Sequence, residues 1–195
     1  LPPKNKTPPI EATARGKTPV LFHELFTQGI TYVDVGFNLD ALPAELLVLV
    51  PVWARAVLVT GTMHEDYVSL TQRIGRLTGG IDTESYTSSL MHHPGYAAWY
   101  FLRGKALDPR LPDLFNILGS MLTSPRLDLK ARLREIIAEE KAEVESGVIP
   151  SGHRFVSQRL HARFNASDLI QEKLTGLSYL FSLRKLRADI DKDWA

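Results

Sequence analysis

The sequence predicts an α+β fold, one antiparallel sheet with helices packed on one of its faces. Three observations carry that expectation. Residues 30–39 alternate, with Val33, Val35, Phe37 and Leu39 on one face and Tyr32, Asp34 and Asn38 on the other, as in a half-buried antiparallel strand. Two further strand-like runs follow, residues 81–90 rich in Thr and Ser and residues 96–106 rich in aromatics, joined by His92-His93-Pro94-Gly95. From Asp108 to Ile190 the chain reads as helix, with Leu129, Leu133, Ile136, Ile137 and Val144 recurring on one face.

Taken in order, residues 1–19 carry Pro2, Pro3, Pro8, Pro9 and Pro19, the mark of an extended linker or surface-laid arm. Residues 20–27 and 30–39 read as a strand pair turning at Gln28-Gly29. A helix is expected over residues 43–60 and ends at Gly61. Thr62-Met63-His64-Glu65 then offers a capping box for a helix that closes at Gly79-Gly80. Asp108-Pro109 is a good helix start, with a capping acceptor before Pro. Residues 147–152 break the helical run, and residues 153–164 and 169–190 resume it. The domain reading is a linker end over residues 1–19 and a single α+β domain over residues 20–195.

Composition narrows the function. With 23 basic against 22 acidic residues the net charge is +1, which argues against broad capture of nucleic acid or anionic membrane. The absence of Cys excludes disulfides and thiolate metal sites. The most apolar stretch, residues 46–59, contains Pro51 and Arg55 and is shorter than the ~20 residues of a membrane span. The first nine residues lack the apolar run of a signal peptide, and a start without Met suggests an excised fragment.

The six histidines are His23, His64, His92, His93, His153 and His161. Four residues after them stand Thr27, Val68, Tyr96, Ala97, Ser157 and Asn165, so no two imidazoles share a helical face one turn apart. Both H-E-x-x-H and H-x-x-E-H are absent. Adjacent His92 and His93 point opposite ways on an extended segment and read as a polar turn. His64-Glu65-Asp66 reads as helix capping, and Ser151-Gly152-His153 as an N-cap, since no Gly-x-Ser-x-Gly elbow accompanies it. Gly75-Arg76-Leu77-Thr78-Gly79-Gly80 closes a helix, whereas a phosphate cradle opens one. Asn165-Ala166-Ser167 fits a glycosylation pattern. The basic stretch 126–134 and the acidic stretch 135–145 read as a solvated helix face, with some room for docking. The residues alone thus define an α+β domain with no catalytic, cofactor-binding or metal residue to assign.

An ordered set of segments adds a resemblance. Residues 21–30 (LFHELFTQGI) with Tyr32 and Gly36-Phe37, Gln72-Arg73-Ile74-Gly75-Arg76 with Thr78-Gly79-Gly80, and Arg103-Gly104-Lys105-Ala106-Leu107 belong to it. So do Ser151-Gly152-His153 with Arg159-Leu160 and Ala162-Arg163-Phe164, and residues 176–181 (GLSYLF) with Leu183-Arg184. Together they resemble the presequence-protease branch of the pitrilysin-type zinc metallopeptidases, over nearly all of residues 19–194. The resemblance implies the third of four related α+β units, in the C-terminal half, truncated before that unit's last strand and helix. An open sheet edge would then invite self-association.

It further implies a non-catalytic segment of a zinc metalloendopeptidase that degrades short unfolded peptides, forming chamber wall and packing against the N-terminal catalytic half of the same parent. Zinc would be the parent's cofactor, with none in this segment, and the compartment would be cytoplasmic in a bacterium and mitochondrial or plastid in a eukaryote. The alternative is an inactive scaffold or peptide-binding module of the same fold, from a parent lacking a zinc motif. An independent hydrolase built on His92, His93 or His153 is the third and weakest reading.

Overall fold

The computed structural model describes residues 9–192 and Trp194. Strands β1 (Glu11–Arg15) and β2 (Thr18–Phe22) form an exposed two-stranded ribbon closed by Gly16-Lys17, with Arg15 opposite Thr18. Gly16 takes φ +63°, which a tight two-residue hairpin requires. The expected hairpin between residues 20–27 and 30–39 is therefore corrected: β2 pairs backward with β1. The turn at Gln28-Gly29 does form, both residues having positive φ and Ile30 N–H donating to Thr27 O at 3.2 Å. The residues before it carry no strand, because the nearer partner has taken β2. Strand pairing thus runs across residue 19, while residues 1–8 lie outside the described part of the chain.

The main sheet comprises β3 (Ile30–Asn38), β4 (Ile81–Ser89) and β5 (Tyr96–Leu107), in the order β3-β5-β4 and antiparallel throughout. On β5 the alternation is clean. Ala98, Tyr100, Leu102, Gly104 and Ala106 are buried, whereas Trp99, Phe101 and Arg103 are partly exposed and Lys105 is exposed. The helices that pack on the sheet take the buried face, as the sequence predicts.

The described residues form seven helices: α1 (Val50–Val59), α2 (Tyr67–Leu77), α3 (Leu111–Thr123), α4 (Lys130–Val148), α5 (Gly152–His161), α6 (Ala166–Thr175) and α7 (Leu177–Lys192). Helices α1, α3 and α6 lie on the sheet, and α4 and α7 form a further layer against α1. Leu102, Leu114, Ile117 and Met121 centre the first interface; Val52, Ala56, Ile136, Ile137 and Leu183 centre the second. Leu114 reaches the bare backbone of Gly104, where an added Cβ would stand 2.7 Å from its Cδ1.

Several helix ends differ from expectation. Residues 47–49 make a 3-10 turn and α1 starts at Val50, so Pro51 falls in the first turn, where its missing N–H costs nothing. Asp66 caps α2, accepting from Ser69 N at 2.7 Å, and the expected capping box at Thr62 does not form. Gly61 (φ +81°) turns the chain there, and buried Thr62 bridges to Pro125, postponing the helix. The Thr62 hydroxyl does accept from the Glu65 amide, as half of such a box would, and from that of His64, but in a turn ahead of the helix, and the Glu65 carboxylate goes to Arg73. Asp108 lies in a 3-10 turn and accepts from the Thr31 hydroxyl at 2.6 Å, so its carboxylate serves the sheet and not α3. The run over residues 169–190 divides at Gly176 into α6 and α7.

The charged stretch is also reassigned. Arg55 of α1 meets Glu139, Glu140 and Glu143 at 3.0, 2.9 and 3.5 Å, and Glu145 is held by Lys141 and Arg184, each at 2.8 Å. The acidic half of α4 docks onto its own neighbours because three carboxylates share the face turned to α1.

Candidate functional site

All six histidines are exposed. His92 takes φ +66° in the β4–β5 turn, in keeping with a polar turn, and His64 precedes the Asp66 cap. Ser151 stands at the N-cap of α5 with no side-chain capping bond; its carbonyl accepts from Arg154 N at 2.9 Å. Asn165 caps α6 through Asp168 N at 2.8 Å. Gly79 N donates to Lys105 O at 2.7 Å, so the glycine-rich segment ties α2 to β5. Among the described residues no three His, Asp or Glu side chains come together as a metal-binding group, and no helix is long and apolar enough to cross a membrane.

What the fold leaves open is the other face of the sheet. Trp99 and Phe101 stack there, with ring centroids 6.2 Å apart and planes 19° from parallel. Gly36, opposite Phe101 on β3, makes room for them: a Cβ there would lie 2.8 Å from the Phe101 ring. Tyr86 faces Trp99 from β4, and Tyr32 faces Lys105 from β3. Between the aromatics, Arg103 bridges three strands, binding Asp34 through two bonds of 3.1 Å and also Glu84. Its hydrogen bonds to Asp34, outweighing partial burial, hold the guanidinium charge even more firmly than usual. An aromatic strip flanked by a closed ion triad presents ring faces for stacking, with its carboxylates held by Arg103. The sequence signal was the aromatic enrichment of residues 96–106, and its alternation from 97 to 105 assigns the rings to this face.

Two concavities lie elsewhere among the described residues. One, of about 270 Å³, lies where α2 ends beside β5 and includes Arg76, Gly79, Lys105 and Arg110. The other, of about 330 Å³, lies between α4, α5 and α7 beside Glu140, Arg154 and Tyr179. In the second, burial first and then Glu140 raise the Tyr179 phenol far above its ordinary value, so it stays a donor, at 2.9 Å from Glu140.

An α+β domain with an open aromatic sheet face is the class defined by this geometry. The family model for the associated region of peptidases of metallo family sixteen, subfamily C, matches residues 1–186, and the chain belongs to that family. It is 35% identical to presequence protease 1, chloroplastic/mitochondrial, of Arabidopsis thaliana over 90% of its length, and 27% identical to the mitochondrial presequence protease of Danio rerio over 91%. Protein HypA of Clostridium perfringens is also 27% identical, over 89%. The chain spans 16% of the first relative and 18% of each of the other two.

Proposed function

We propose that the chain is a non-catalytic segment of a zinc metalloendopeptidase that degrades short unfolded peptides, forming part of the chamber wall and packing against the catalytic half. The carrying observation is the similarity to presequence proteases over nine-tenths of this chain, combined with described residues that offer no group able to bind the metal. In this reading the chain is the third unit of the parent, preceded by a linker end over residues 1–19, and zinc is held elsewhere in the parent. The parent works in mitochondria or plastids if eukaryotic and in the cytoplasm if bacterial.

The open sheet face suits the wall. Trp99, Phe101, Tyr86 and Tyr32 offer rings to side chains of any sequence, as a chamber for varied unfolded peptides requires. The helix-covered face is already occupied by α1, α3 and α6.

A photo-crosslinking residue at position 99 of the full-length protein tests this. It should label bound peptide, whereas one at exposed Lys185 on α7 should not. Labelling at 185 alone would reverse the orientation. Peptide binding without any cleavage by the full-length protein would favour the inactive scaffold reading.

A further inference from the structure

The groove at the end of α2 has a composition that the wall reading does not use. Arg76 comes from the last turn of α2, Lys105 from β5, and Arg110 from the turn entering α3. Arg76 and Lys105 make no ion pair among the described residues, and Arg110 has only an exposed partner one helical turn on, Asp113 at 3.2 Å. Such an exposed pair binds weakly and exchanges readily. The nearby carboxylate of Asp108 is engaged by Thr31. Among the described residues no carboxylate lines the groove itself, whose floor includes the apolar surface of Leu77 and Leu107.

Helix polarity explains part of this. A cation in the last turn of α2 complements the helix dipole, so Arg76 alone has a structural reason to be there. Lys105 has none: it sits on a strand, beside Tyr32, with its aliphatic stem laid over Gly79. A Cβ at residue 79 would come within 2.8 Å of that stem, so Gly79 allows the lysine to lie along the groove.

We propose that this groove binds a peptide carboxylate, the C-terminal one, between Lys105, Arg76 and Arg110, with the last side chain on the Leu77 and Leu107 surface. The inference rests on the reading of the chain as a wall that meets unfolded peptides. A volume of about 270 Å³ admits one residue and excludes a folded chain. Lys105 lies on the same sheet face as Trp99 and Phe101, so a peptide anchored at its end would continue over the aromatic strip.

The test uses the 195-residue chain and a fluorescein-labelled heptapeptide ending in Leu, as free acid, as C-terminal amide, and as amide with an internal Glu. Fluorescence anisotropy should show the free acid binding about tenfold more tightly than the amide, and the Arg76→Ala/Lys105→Ala double variant losing about that factor. Lys105→Arg should retain binding, and added salt should weaken it. Circular dichroism melts confirm that each variant is folded. Equal binding of acid and amide, or an unchanged double variant, overturns the proposal. Tighter binding of the internal-Glu amide, or displacement by inorganic phosphate at lower concentration than by free-acid peptide, also overturns it by naming another anion. Crosslinking at position 99 fails or succeeds independently of this titration, so the two readings are separable.

Discussion

The Glu172 carboxylate meets the Arg159 guanidinium at 2.7 Å, although the first side chain is 2% exposed and the second 51%. The same Glu172 oxygen accepts from the Ser178 backbone N–H at 2.9 Å. A buried charge on α6 thus caps α7 across the break at Gly176 and is neutralised from α5. Three helices meet at one carboxylate.

Replacing Glu172 by Ala should cost about 2–3 kcal/mol, since a charged hydrogen bond is lost and a helix N-terminus is left unpaired. Burial raises the Glu172 pKa, but the bonds from Ser178 and Arg159 outweigh it and hold the group below its ordinary value. Its contribution is therefore present above the unfolded-state pKa and lost as pH falls through the folded one. Melting curves should show the gap between wild type and Glu172→Gln shrinking as pH falls from neutral to below the ordinary carboxylate range.

Gly104 and Leu114 make a second prediction. Gly104→Ala should destabilise by about 1–3 kcal/mol, because the added methyl meets a fully buried Leu114. Combining it with Leu114→Ala should cost less than the two changes summed, since the truncation removes the clash. Urea denaturation of the four proteins closes the cycle.

The Arg55, Glu140 and Tyr179 cluster predicts behaviour in alkali. Burial first, then Glu140, raises the Tyr179 pKa above its ordinary 10.0, so its contribution is intact below that pH and lost as pH climbs through the raised value. Tyr179 should stay silent in an ultraviolet titration of the folded chain into alkali and ionise only when denaturant exposes it. Tyr179→Phe should cost about 1 kcal/mol at neutral pH.

A fourth prediction concerns the metal. The dialysed 195-residue chain should retain far less than one equivalent of zinc and cleave no peptide. Near-stoichiometric zinc by elemental analysis, or turnover abolished by His153→Ala, would sink the assignment of catalysis to another part of the parent.

Local pattern made much of this molecule legible. Alternation at residues 30–39 placed Val33 and Val35 inward, because adjacent strand residues must face opposite ways. The same spacing logic kept any two histidines from sharing a helical turn. Strands β4 and β5 and the break near residue 150 also followed from local chemistry.

Pairing partners and helix junctions did not follow, since they depend on which of several competing segments arrives. The Thr18–Phe22 strand could pair forward or back, and the Gly16 turn settled it. Whether Asp108 capped α3 or bound Thr31 depended on β3 lying alongside β5. By itself, then, the sequence determined most of the elements, their apolar faces and the absence of a helical zinc motif, all consequences of short-range geometry. Only the tertiary structure decided that three acids of α4 grip Arg55, that Glu172 caps α7, and that Arg76, Lys105 and Arg110 share one groove. Such contacts join separate elements of the chain, and their energies exist only once packing has brought the charges together.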